Sequence, residues 1–233
     1  MTTSPPPSAI PQTLWDLQIP VLVTHASRSP NAPFVTSVPR FSYLALLLPR
    51  LSAYFGLPCS SFHHEDVLLR NLAVGLLVDL YQPSLPWRLT VADGLSWDIG
   101  DTFLNSAKEA HDYASFAKVN ARLLNTSRDL RNVPIRVYIP QSPDDPAADT
   151  QAGSFKVVQS LMQPRVSERN PQTLGTALRS LLPSLFPSSR DPVLADAILH
   201  GVRVPFGAPL EELMREAAYP DGWLCLVVKP LDV

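Results

Sequence analysis

Hydrophobic positions recur along this chain with two different periods, and the two alternate in a repeating order. In the C-terminal half, Val133, Ile135, Val137 and Ile139 alternate with Pro134, Arg136 and Tyr138, the period-two pattern of a half-buried strand. Proline at the second position favours a sheet edge or a strand start. A loop of Pro, Asp, Ala and Gly (140–153) leads to SFKVVQSLM, a second β-rich run, so the pair predicts a long-looped hairpin. Leu174, Leu178, Leu181, Leu182 and Leu185 then recur at spacings of three and four, the apolar stripe of a helix that Thr173 can cap. Pro187 is expected to stop this helix after Phe186, with Pro183 tightening or kinking its last turn. Next come a strand around Ile198 that turns at His200 and Gly201, a short amphipathic helix PLEELMREA, and a closing strand WLCLVV.

The N-terminal half repeats this order after a short helical start around Leu14 and Trp15. IPVLVTHA and PFVTSVPRF form the opening hairpin, and SYLALLLPRLSAYFG the main helix, with Pro49 as a local fault. SSFHHEDVLLR is a weaker strand, AVGLLVDLY a short apolar helix and PWRLTVADG the last strand. In both halves a proline followed by Trp87 or Trp223 opens the final strand. Two copies of one plan therefore share the chain. A mixed sheet wrapped around one long helix in this order is the β-grasp, or ubiquitin-like, arrangement, and a unit of ~80–100 residues can fold alone. Between the copies Phe103, Ala107, Ala110, Tyr113, Phe116, Ala117 and Leu123 keep helical spacing. The fold class is α+β, two ubiquitin-like (β-grasp) domains joined by a helical region.

Composition narrows the function. A net charge of −2 provides no basic excess for a phosphate backbone, so nucleic acid is not an expected partner. Cys59 and Cys225 are the only cysteines and lie in no metal-ligand spacing, which predicts neither a disulfide framework nor zinc and suits a reducing cytosol. No apolar run approaches the ~20 residues of a membrane span. The polar, proline-rich start does not resemble a signal peptide, so a soluble, unsecreted protein is expected. With 25 prolines against 9 glycines, proline punctuates the apolar segments.

Candidate chemistry is sparse. Cys59 with His63 or His64 would be needed for a thiol and its base, and His63, His64, Glu65 and Asp66 for a metal cluster. Adjacent strand residues point to opposite faces, however, so this run cannot converge as ligands. Cys225 reads as a small core residue, His200 as part of a turn and His25 as a strand end. Glycine-rich phosphate loops and the GxSxG motif are absent. No cofactor is implied. Trp87 and Trp223 read as core, and Trp15 as an interdomain or partner contact. Lysines occur only at 108, 118, 156 and 229. Each offers a mobile amine, which is all that an isopeptide acceptor must supply itself. A solvated helix lysine paired with Asp112 is the plain alternative for Lys108. The chain ends Pro230-Leu231-Asp232-Val233, without the terminal glycine a ubiquitin-like donor requires.

LWDLQIPV, VPRFSYLALLLPRL, VGLLVDLY, PWRLTV, FLNSAKEA, NVPIRVYIP with KVVQSL, QTLGTALRSLLPSLFP and HGVRVPFGAPLEELMREAAYPDGW occur in this order from Leu14 onward. Together they resemble the autophagy-related protein 5 family, in its filamentous-fungal form. The resemblance implies a flexible N-terminus (1–13), a first ubiquitin-like domain with an N-terminal helix (14–95), a shortened helix-rich domain (96–132) and a second ubiquitin-like domain (133–233). The middle is shortened because Lys108-Glu109-Ala110 runs almost directly into DYASFAKVNARLL at His111 and Asp112, where the family carries a longer helical stretch.

FLNSAKEA places the family's covalent acceptor at Lys108, joined to the C-terminal glycine of autophagy-related protein 12. The implied partners also include autophagy-related protein 16, bound noncovalently, and the conjugating machinery for autophagy-related protein 8. A membrane contact could accompany these, although no polybasic run marks a lipid site. The role implied is that of a non-catalytic, E3-like scaffold, cytoplasmic and peripherally recruited to the preautophagosomal (isolation) membrane. A noncovalent two-module interaction protein that has lost conjugation is the alternative, and a cysteine hydrolase using Cys59 a third reading.

Overall fold

The computed structural model describes residues 9–27, 32–94, 130–141, 155–167 and 169–231. Strand β1 (Gln18–His25) pairs antiparallel with β2 (Phe34–Pro39) and parallel with β5 (Trp87–Ala92). Strand β3 (Ser61–His64) joins β5 and the two-residue β4 (Val67–Leu68), giving the order β2-β1-β5-β3-β4. The second sheet repeats the plan with β6 (Val133–Pro140), β7 (Phe155–Met162), β10 (Ala195–Leu199), β11 (Val202–Arg203) and β12 (Leu224–Pro230). Its order is β11-β10-β12-β6-β7, with β6 and β12 parallel, so the two sheets superpose strand for strand in topology. A small ribbon of β8 (Arg165–Ser167) and β9 (Asn170–Pro171) lies between β7 and the main helix in sequence. Pro134 is a strand-start proline and not an edge one: β6 has neighbours on both sides, and its pairing with β12 begins at Ile135.

Helix α1 spans Ile10–Asp16, so its first turn falls before residue 14. Pro49 is no fault in the first main helix. A 3-10 turn at Leu44–Leu47 precedes α2 (Leu48–Phe55), and Pro49 sits in the opening turn, where a missing N–H costs nothing. Gly56, at φ 64°, ends α2 in the left-handed region. Helix α3 is Val74–Tyr81. Thr173 caps α4 (Leu174–Leu181) through a capping box with Thr176. This helix stops at Leu181 and not at Phe186, because Leu182 precedes Pro183 and is driven out of the helical region to φ −138°. Phe186 is nevertheless buried and packs edge-on against Phe206. Helix α5 is Leu210–Ala217.

The first sheet buries one face, whereas β10 and β12 of the second are buried on both, with α3 of the first module packed against β12. Val21, Val23, Trp87 and Val91 line the first core, and Val133, Ile135, Val137, Leu224 and Leu226 the second. The cores are not confined to their own modules. Phe41, Ala73 and Leu76 of the first module belong to the second cluster, and Leu14 and Trp15 of α1 pack against it too. Accordingly α1 contacts α5.

Candidate functional site at the module seam

The two modules meet over a buried polar knot. Arg40 follows β2, and the first N–H groups of α3 fix its position: Val74 donates to the Ser42 carbonyl and Gly75 to the Arg40 carbonyl. The Arg40 side chain then lies across α3, over Gly75, where any Cβ would overlap it. Its Nη2 reaches both oxygens of Asp79 at 2.5 and 2.6 Å and also donates to the Gly75 carbonyl. The side chains of both partners are 5% exposed or less.

The second module completes the knot through the turn between β10 and β11. His200 (φ 51°) and Gly201 (φ 84°) both adopt positive φ, as a two-residue hairpin turn requires. Their backbone N–H groups donate to Asp79. Arg40 Nε donates to His200 Nδ1 at 3.3 Å, and His200 Nε2 donates to the Ala217 carbonyl at the end of α5, at 2.8 Å. These two bonds fix the neutral tautomer protonated at Nε2. Burial, with Arg40 as a further cause, lowers the His200 pKa to about 3, against the opposing pull of the Ala217 carbonyl. Burial also raises the Asp79 carboxyl, while Arg40 and the two N–H groups hold it down. Phe41 and Tyr219 close over the imidazole, Tyr219 stacked at 4.6 Å and Phe41 edge-on at 5.3 Å.

Beside the knot lies a cavity of about 140 Å³, whose walls include Tyr43, Asn71 and Leu76 of the first module and Arg136, Tyr219 and Asp221 of the second. Asn71 Oδ1, Arg136 Nε and Tyr219 Oη are buried without a hydrogen-bond partner among the described residues. Such a volume accommodates roughly four waters at ~30 Å³ each. Arg136 is held by Asp221 at 3.2 Å and lies 4.4 Å over the Trp223 ring. Burial raises the Tyr138 phenol to about 12, and it likewise pushes the Tyr43 phenol and Cys225 thiol well above their ordinary values. The seam thus offers hydrogen-bonding groups but no thiolate or phenolate near neutral pH. Its chemistry suits binding and positioning.

The residues singled out from sequence disperse. Lys108 and Lys118 lie outside the described residues. Lys156 is exposed on β7, and Lys229 Nζ donates to Gln82 Oε1, tying β12 to the segment after α3. Cys59 is half-buried, donates to the Leu57 carbonyl, and has its thiol raised by burial, so it carries no activated thiolate. His63 and His64 sit on β3 opposite Leu68 and Val67, with Glu65 and Asp66 in the turn. Among the described residues no cluster of His, Cys, Asp and Glu could hold a metal ion. His25 ends β1, buried, with Nε2 facing the Pro58 carbonyl. Trp87 is fully buried, Trp223 is partly buried against the second core, and Trp15 makes the interdomain contact expected of it.

The knot residues Arg40, Gly75 and Asp79 were not singled out from sequence. One signal was available: Asp79 is the lone acid in the apolar helix VGLLVDLY, which points to a buried counter-charge. Nothing local identifies that partner as Arg40 or places His200 beside it.

Comparison with known proteins agrees with this architecture. Residues 14–92 match the family described as Autophagy protein ATG5, UblA domain, and residues 132–228 match its UblB domain. Autophagy protein 5 of Chaetomium globosum is 63% identical over 256 aligned positions, covering 97% of this chain and 91% of that protein. Autophagy-related protein 5 of Neurospora crassa is 60% identical, covering 96% of this chain and 72% of the relative. The crystal structure of Kluyveromyces marxianus Atg5 superposes with a TM-score of 0.59 at 18% identity, over 94% of this chain and 98% of the other. That likeness bears on the fold alone.

Proposed function

This chain belongs to the autophagy protein 5 family and has a role in autophagy, and we propose that it acts there as a non-catalytic scaffold conjugated through Lys108 to autophagy-related protein 12. With autophagy-related protein 16 bound noncovalently, the assembly promotes lipidation of autophagy-related protein 8 in an E3-like manner. It works from the cytoplasm, recruited peripherally to the preautophagosomal membrane. The observation that carries the reading is the seam, where the second module's His200 imidazole and turn N–H groups bond the buried Arg40–Asp79 pair of the first module and the two share a common core. A scaffold accelerates transfer by fixing the distance and angle between reactants, and such fixing requires modules that do not swing independently. Lys108 enters from FLNSAKEA, and its amine needs no activating neighbour of its own, since the conjugating enzyme supplies the catalytic environment.

One observation favours a second reading. The alignment with the Chaetomium globosum protein spans 256 positions, more than the 233 residues of this chain, so the relative carries residues absent here. The alignment does not locate them; with the sequence reading that the bridge is shortened at His111 and Asp112, their absence supports a noncovalent interaction protein that has lost conjugation. The two readings separate in one experiment: the protein is isolated from its own cells under denaturing conditions and branched peptides are mapped by mass spectrometry, in wild type and Lys108→Arg. A glycine-ended remnant on Lys108 that the substitution abolishes supports the acceptor. Absence of any conjugate, where a longer relative is modified in the same cells, supports the noncovalent reading.

A further inference from the structure

The first module carries a second cleft, on the sheet face turned away from its core. Leu22 and Thr90 face it between the fully buried Val21, Val23 and Val91, and the segment after α3 forms its other wall. Its volume is about 650 Å³, within the ~300–1,000 Å³ typical of ligand sites. Leu22 and Leu85 supply apolar surface, and Leu85 is 55% exposed.

The polar groups around this surface are unevenly matched. Arg88 is exposed and has no carboxylate partner among the described residues. Lys229 adds a second cation at the rim through its bond to Gln82. Tyr81 lines the cleft, and its hydroxyl is buried without a hydrogen-bond partner among the described residues. Glu65 is the one acid in the lining. A ligand that fits must bring acceptors and negative charge, together with an apolar group. We propose that this cleft binds an extended acidic peptide of a partner protein, with one aliphatic or aromatic side chain seated against Leu22 and Leu85, a carboxylate at Arg88 and a carbonyl accepting from Tyr81. An isolated inorganic anion would leave the apolar wall unused, and a flat lipid surface would not reach into a concave site. The cleft shares no lining residue with the seam cavity, and the proposal stands whether or not conjugation occurs.

A phage-displayed library of random dodecapeptides, selected against the full chain, tests this. Recovered sequences are resynthesised with fluorescein and measured by anisotropy, with near-ultraviolet circular dichroism confirming that each variant is folded. The expected peptides are rich in Asp and Glu around one large apolar residue. Arg88→Glu and Leu85→Asp each weaken binding by about tenfold or more, and Tyr81→Phe by a few-fold. Lys156→Glu, on the other sheet, leaves binding unchanged. Failure to recover any binding peptide, recovery of acid-free sequences, or equal affinity for Arg88→Glu would overturn the proposal. So would Arg88-dependent sedimentation with vesicles of phosphatidylserine and phosphatidylcholine in the absence of peptide binding, which would reassign the cleft to a lipid surface.

Discussion

His200 is the residue on which the second module's hold on the first converges. Its Nδ1 accepts from Arg40, so a proton placed there would face a guanidinium and break that bond. The folded pKa of about 3 lies below the ordinary value of 6.5, so between these limits the unfolded chain binds more protons than the folded one. The histidine's contribution is therefore full above pH ~6.5 and declines as pH falls toward 3, by up to about 1.4 kcal/mol per pH unit. Urea midpoints between pH 7.5 and 5 are expected to fall more steeply for wild type than for His200→Gln, which cannot take up the proton. Equal slopes would show that the imidazole titrates normally at the seam.

Among the helices, sequence patterns located the elements and mistook some of their ends. Thr173 was legible because its hydroxyl and that of Thr176 act within one turn of chain. Thr173→Ala removes that box and is expected to lower stability by about 1 kcal/mol, with faster amide exchange in the first turn of α4. An unchanged midpoint would mean that packing of Leu174 and Leu178 alone holds the helix start. Leu182 and Leu185 continued the apolar stripe on paper, yet the backbone restriction before Pro183 outweighs periodicity. Pro49 was misread in the opposite sense, as a fault where it is a start. The order of strands and helices along the chain was legible because the pattern occurs twice. The knot was not, since Arg40 and His200 lie 160 residues apart and no local period relates them.

For the molecule as a whole, the seam makes two repeated modules mechanically one. Arg40→Ala would leave the Asp79 carboxylate buried without its cation and is expected to cost about 3–5 kcal/mol by urea denaturation. The double variant Arg40→Ala with Asp79→Ala should recover part of that loss, because the orphaned charge is gone. Additive losses in the double variant would mean that the ion pair contributes nothing as a pair.

The shared core also has a consequence for how the protein is made. The first module leaves the ribosome with Phe41, Ala73 and Leu76 facing a partner that does not yet exist, and with Arg40 waiting for a histidine 160 residues behind it. From Asp79, which completes the charge pair, to His200 the chain adds 121 residues, so at the ~5–20 residues per second of translation that interval lasts roughly six to twenty-four seconds. Throughout it the nascent chain presents an uncovered apolar face beside a charge pair open to water. A synthesis-coupled chaperone would find its substrate there, and an mRNA truncated before the turn at His200 and Gly201 would yield a first module that never loses that face.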